Sequence, residues 1–134
     1  MDNASRVAPK RVIIADDVPG VRRDLSTLLN LLGNIDIVGE AANGAEAVTL
    51  TRISKPDVIL MDLEMPVMDG FEATLKIKSM YPDCRVVMLT IHGGIEERKK
   101  ATESGADSFL VKGVTIDALK ASIYGISTAE FNKE

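Results

Sequence analysis

Short runs of branched aliphatic residues alternate with longer segments whose apolar residues recur every three or four positions. Five runs stand out: KRVIIA at Lys10 to Ala15, IDIVGEA at Ile35 to Ala41, DVILM at Asp57 to Met61, RVVML at Arg85 to Leu89 and SFLV at Ser108 to Val111. Such runs, bounded by turn residues, predict buried parallel strands. Behind Pro19, the residues Val21, Leu25, Leu28, Leu29 and Leu32 keep helical spacing, and Gly33 fits a C-cap. Asn43-Gly44 signals a turn, and Ala45 to Ile53 predicts a second helix ending before Pro56. A third helix spans about Phe71 to Met80 and is broken by Pro82. A charged fourth runs from Ile95 to Ser104 and is closed by Gly105. Thr115 is the expected N-cap of a fifth, reaching about Ile126.

Strand and helix thus alternate five times, at intervals of roughly 24 residues. That rhythm predicts an α/β fold: a three-layer, doubly wound, flavodoxin-like domain. Right-handed crossovers favour a five-stranded parallel sheet of order 2-1-3-4-5 with five helices. The expected domain covers residues 10–127. Residues 1–9 are polar and aperiodic and read as a disordered tail; residues 128–134 read as a C-terminal tail or the start of a linker.

Composition narrows the function classes. The chain has 134 residues, 46% hydrophobic but only 4% aromatic, so the core must be aliphatic. Sixteen Lys and Arg against 20 Asp and Glu give a net charge of −4. That balance argues against direct nucleic-acid binding by this domain, which needs a cationic excess. One Cys excludes a disulfide framework and points to a reducing compartment. The apolar runs are too short to span a membrane, and the N-terminus has no secretory h-region, so a cytoplasmic location is expected.

In open α/β sheets the active crevice lies at the carboxyl ends of the strands. There the sequence places Asp16 and Asp17 after strand 1, Asp62 after strand 3, Thr90 after strand 4 and Lys112 after strand 5. Strand 2, at the edge of the sheet, contributes nothing obvious. Three close carboxylates need a countercharge, and hard oxygen ligands open to water suit Mg²⁺. A Lys and a Thr beside them cradle a tetrahedral oxyanion. The set suits phosphoryl transfer to a carboxylate, with Asp62 on the central strand as nucleophile.

These residues also carry a resemblance. Asp16-Asp17, Asp62 within MDLEMPVMDG, Leu89-Thr90 and Lys112 resemble the receiver domain of two-component response regulators. AANGAEA (41–47) and ESGADSFLVK (103–112) resemble it too, and the likeness covers about residues 10 to 127. It implies that Asp62 accepts phosphate from a histidine kinase or histidine phosphotransfer protein. It implies that Asp17 and Asp62 bind Mg²⁺ directly, Asp16 through water, and that the backbone carbonyl of Glu64 completes the protein ligands. Lys112 would pair with the phosphoryl group, Thr90 would move toward it, and Phe109 would swing inward as the switch. The response would appear on the surface of helix 4, strand 5 and helix 5, acting on an output domain, a partner protein or a homodimer. Such a domain phosphorylates and dephosphorylates itself and is not a conventional turnover enzyme.

Other residues read blandly. Met61, Met65, Met68 and Met88 are filler, Cys84 is a structural thiol, and Arg98, Lys99 and Lys100 sit on a mixed, solvated helix face with partner docking as the functional option. His92 reads as a loop residue near the pocket mouth, flanking the hydrolytic water's route together with Glu64; either side chain is expected to tune aspartyl-phosphate lifetime. Where many receivers have Pro after the pocket Lys, this chain has Gly113; where many have a small residue after the switch Thr, it has Ile91. LTIHGG and FLVKGVT look closer to LuxR-type transcription regulators. Eight residues after the last predicted helix leave no room for a DNA-binding unit, so the chain is expected to be an excised or N-terminal receiver, or a stand-alone one. The alternative is a flavodoxin-like FMN carrier, but the acids of DDVPG would repel a phosphate there. A phosphatase of the haloacid-dehalogenase type should show D-x-D after strand 1, and a phosphorylation-independent interaction domain would not need the complete pocket.

Overall fold

Alternate residues of a strand face opposite ways, so a strand apolar throughout must be covered on both sides. The structure, a computed structural model that describes residues 8–91 and 93–125, obeys this rule. Its elements are β1 (Lys10–Ala15), α1 (Pro19–Leu32), β2 (Ile35–Ala41), α2 (Gly44–Ser54) and β3 (Val58–Met61). Then follow α3 (Gly70–Met80), β4 (Arg85–Thr90), α4 (Ile95–Ser104), β5 (Ser108–Val111) and α5 (Ile116–Tyr124). All strands are parallel, in the order β2-β1-β3-β4-β5.

One core layer joins Ile13, Ile59, Met61, Val86 and Met88 to Ala47, Ala73, Ile77 and Ala101 of α2, α3 and α4. The other joins Val12, Ile14, Val58, Leu60 and Val87 to Leu29 of α1 and to Leu119 and Ile123 of α5. Full burial of one such Leu or Ile contributes about 2 kcal/mol. The small residues on α2 let that helix lie close against β1 and β2.

The helix ends follow local chemistry. Pro19 opens α1. Asn43, Asp69 and Thr115 cap α2, α3 and α5, their side-chain oxygens accepting from Glu46, Glu72 and Ala118 amides. Asn43 is therefore a helix cap as well as a turn residue. The predicted strand at Asp57 starts one residue later, at Val58, although the Asp57 amide already donates to the Arg11 carbonyl at 2.8 Å and its carboxylate accepts from the Arg11 amide at 2.9 Å. The expected end of α5 at Ile126, residues 1–7 and His92 lie outside the described residues.

The loop from β3 to α3 was not foreseen in detail. Val67 has φ 69° and is 83% exposed, and the Met68 amide donates to the Pro66 carbonyl at 2.7 Å. A branched residue at the centre of such a three-residue turn is strained. Val67→Gly is expected to raise stability by about 1 kcal/mol, after the entropy that glycine adds to the unfolded chain. Urea unfolding checks it; an unchanged or lower midpoint would place no strain in this turn.

Candidate functional site: an acidic pocket at the carboxyl edge

Parallel register brings the chemistry together. Ala15 of β1 pairs with Met61 of β3, so the next residues, Asp16 and Asp62, emerge side by side. The Asp62 amide donates to the Ala15 carbonyl at 2.9 Å, extending the ladder by one bond. Thr90 pairs with Val111 across β4 and β5, which leaves Lys112 one residue beyond. The Lys112 amide donates to the Thr90 carbonyl at 2.6 Å.

Asp16, Asp17 and Asp62 can each offer a carboxylate oxygen such that all three lie within 4.8 Å of one another. Asp16 is buried at 2% exposure, Asp62 is 15% exposed at its side chain and Asp17 faces solvent. Lys112 Nζ lies 2.7 Å from Asp16 Oδ2 and 3.9 Å from Asp62 Oδ2. The ammonium thus neutralises only part of the triad. Asp16 Oδ1 accepts from the Val18 amide and Asp62 Oδ1 from the Leu63 amide, both at 2.9 Å. That leaves Asp62 Oδ2 directed at the shared space.

Burial pushes the Asp62 carboxyl up from its ordinary 3.8 to about 6; the Lys112 ammonium pulls it down, and the neighbouring Asp16 charge pushes it up. Such a site is short of positive charge. Three hard carboxylate oxygens with one ammonium suit a small divalent cation. A cleft of about 230 Å³ beside them is lined by Leu63, Glu64, Phe71, Thr90 and Lys100.

A family model for the response regulator receiver domain matches residues 12–124. The chain belongs to the response regulator receiver domains. The receiver is 40% identical over 124 residues to the response regulator protein VraR of Staphylococcus epidermidis, covering 90% of this chain and 59% of that protein. It therefore spans about three-fifths of the length of the curated relatives it matches. A LuxR-family two-component response regulator from Aurantimonas superposes with a TM-score of 0.82 at 32% identity, covering 89% of this chain and 88% of that one. A chain of the CheX–CheY–BeF3–Mg²⁺ complex from Borrelia burgdorferi superposes at 0.80 with 27% identity, covering 87% and 88%. The suspected LuxR-type origin agrees with these relatives.

The receiver fold brings five of the expected residues to one edge: Asp16, Asp17, Asp62, Thr90 and Lys112. Glu64 lies on the same loop as Asp62, exposed, and lines the adjacent cleft. Phe109 is half-buried on β5 against the core, with the Arg98 guanidinium 4.8 Å over its ring. After Lys112 the chain turns through Gly113 at φ 99°, a conformation that glycine adopts freely. Burial pushes the Cys84 thiol up to about 11, which suits a structural thiol and not a nucleophile. No helix among the described residues is long and apolar enough to cross a membrane.

Two contributions were not anticipated. Arg22 of α1 donates to the Asp16 carbonyl at 2.6 Å and to Glu40 Oε1 at 3.1 Å. The end of β2 thus takes part after all, through Glu40 and the Ala41 carbonyl that accepts from the Asp16 amide. Gly70 opens α3 directly against the Asp62 backbone, its amide donating to the Leu63 carbonyl at 2.8 Å. The Asp-Gly pair at 69–70 was the available signal for Gly70. Arg22 sits one turn into a helix and gave none.

Proposed function

We propose that this receiver domain accepts a phosphoryl group on Asp62 from the phosphohistidine of a histidine kinase or histidine phosphotransfer protein. The observation that carries the reading is the directed, largely buried Asp62 Oδ2 opposite Lys112. Oδ2 attacks phosphorus, the P–N bond to the donor imidazole breaks, and the leaving nitrogen keeps its electron pair and takes a proton from solvent. Lys112 Nζ is placed to move from Asp16 toward the phosphoryl oxygens, and the Thr90 hydroxyl to donate to them. Asp16, Asp17 and Asp62, with the Glu64 backbone carbonyl, would hold Mg²⁺. When bound, Mg²⁺ offsets the charge on the carboxylates and the phosphoryl oxygens.

Phosphorylation adds roughly −1.5 to −2 of charge. Contacts to Thr90 and Lys112 then favour one of two pre-existing states. Phe109 moves inward with Thr90, and the α4–β5–α5 surface carries the change to an output domain, a partner protein or a second copy. The LuxR-family likeness supports a DNA-binding output in a transcription regulator of the cytoplasm. The chemistry is self-catalysed, with one phosphoryl group per protein, and is not turnover of a free substrate.

Acetyl phosphate with Mg²⁺ tests the reading by intact mass. Wild type should gain one phosphoryl group, and Asp62→Asn or added chelator should prevent it. Equal labelling of Asp62→Asn, or labelling indifferent to chelator, overturns the assignment. Ile91 directly follows Thr90 and is 65% exposed, and we propose that its branched side chain narrows the approach to this site. Ile91→Ala is expected to speed labelling by acetyl phosphate severalfold, and an unchanged rate removes that role.

A further inference from the structure

Asp16 is held at four points. Its amide donates to Ala41 at 3.0 Å, Oδ1 accepts from Val18 at 2.9 Å, Oδ2 from Lys112 at 2.7 Å, and its carbonyl from Arg22 Nη1 at 2.6 Å. Three of these bonds fix Asp16 itself. The fourth acts on the peptide plane that leads into Asp17, because the Asp16 carbonyl and the Asp17 amide share that plane. The exposed Asp17 carboxylate has no hydrogen bond to the described residues. The backbone therefore sets where its Cα–Cβ bond starts, and the two side-chain torsions stay open to a ligand.

Arg22 is built to hold that plane. Its side chain is 17% exposed, and its Nε is held by Glu40 at the end of β2. One planar guanidinium thus ties α1, β1 and β2 together at the rim of the pocket, with a pre-organised fork. Its partners are a carbonyl and Glu40; none of the three pocket carboxylates is among them.

We infer that Arg22 is a positioning residue for cation binding: by fixing the Asp16–Asp17 peptide plane it keeps the Asp17 Cα–Cβ bond where the carboxylate reaches the shared oxygen cluster. The inference rests on the metal-binding reading above, and it makes a prediction opposite in sign to simple electrostatics. Removing a positive charge beside an acidic pocket should tighten the binding of a cation. Removing the group that orients its ligands weakens it, commonly by 10- to 100-fold for such supporting residues.

The test is calorimetric titration of Mg²⁺ into the full chain, with metal-free unfolding measured in parallel. Arg22→Ala should raise the Kd about tenfold or more. Arg22→Lys keeps a donor and the charge and should recover part of the affinity; Arg22→Gln, a donor without the charge, serves if Ala folds poorly. Arg23→Ala removes the same charge from the exposed neighbouring position and should leave affinity equal or slightly tighter. If Arg22→Ala and Arg22→Gln bind Mg²⁺ as tightly as wild type or more so, Arg22 is only structural, or a charge, and the inference falls. If wild type itself binds no Mg²⁺, the metal-binding reading fails first, and this inference with it.

Discussion

Without divalent metal at pH 7.5, Asp62→Asn raises the unfolding free energy by about 2 kcal/mol, although it removes the proposed phosphoacceptor. The Asp62 carboxyl titrates near 6 in the folded protein against its ordinary 3.8. Between those values the folded state binds more protons than the unfolded state. Stability therefore falls as pH rises through that window, and the full penalty is present above it. The interval corresponds to at most about 3 kcal/mol, of which the buried amide of Asn takes back a part. The gain should shrink as pH falls toward 4, since a protonated Asp62 is no longer a buried charge and no longer repels Asp16. Chemical unfolding of both proteins at several pH values measures it. A gap that does not change with pH, or that favours wild type, contradicts the account. Added Mg²⁺ should narrow the gap by stabilising wild type through binding.

Gly70→Ala should cost about 3 kcal/mol and should suppress labelling of Asp62. A Cβ at Gly70 would be built into the Asp62 carbonyl oxygen and would crowd Leu63 Cα at 3.1 Å. Both obstacles are backbone, so no side chain can swing away. Relief requires moving the start of α3 or the residue that carries the nucleophile. Gly20→Ala is the control: a Cβ there meets nothing within 4 Å, and α1 should gain stability by a few tenths of a kcal/mol or more. A loss below 1 kcal/mol at Gly70 would mean that the Asp62 loop yields freely.

The strands were legible because a doubly covered strand must be apolar throughout, as Val58 to Met61 is. The starts of α1 and α5 were legible because Pro19 and Thr115 each answer a local need of a helix terminus, whereas Asp69, the cap of α3, reads in sequence only as part of the loop before it. The pocket acids were legible because a parallel sheet sends the residue after each strand to one edge. What escaped depended on a partner distant in sequence or on backbone shape. Arg22 looks like any helical arginine until β2 brings Glu40 beside it. Lys112 reaches back 96 positions to Asp16, a pairing that the strand order implies but no local pattern encodes. The turn at Val67 ran against local preference, since a branched residue resists a positive φ. The roles of Phe109 and Glu64 come from family likeness.

The single thiol gives this domain an internal clock for opening. Cys84 is 5% exposed, sits at the foot of the α2–α3 layer and holds its proton to about pH 11. It lines a surface cleft with Thr51, Pro56 and Tyr81 but shows little of itself there, so a thiol reagent reacts faster when the protein opens locally around it, and the rate of modification follows that opening. The chain has no Trp to follow by fluorescence, and it needs none. If cation binding or phosphorylation at the carboxyl edge tightens the whole domain, Cys84 will record it from the opposite end of the strands as slower modification. If the two ends open independently, its rate will not change.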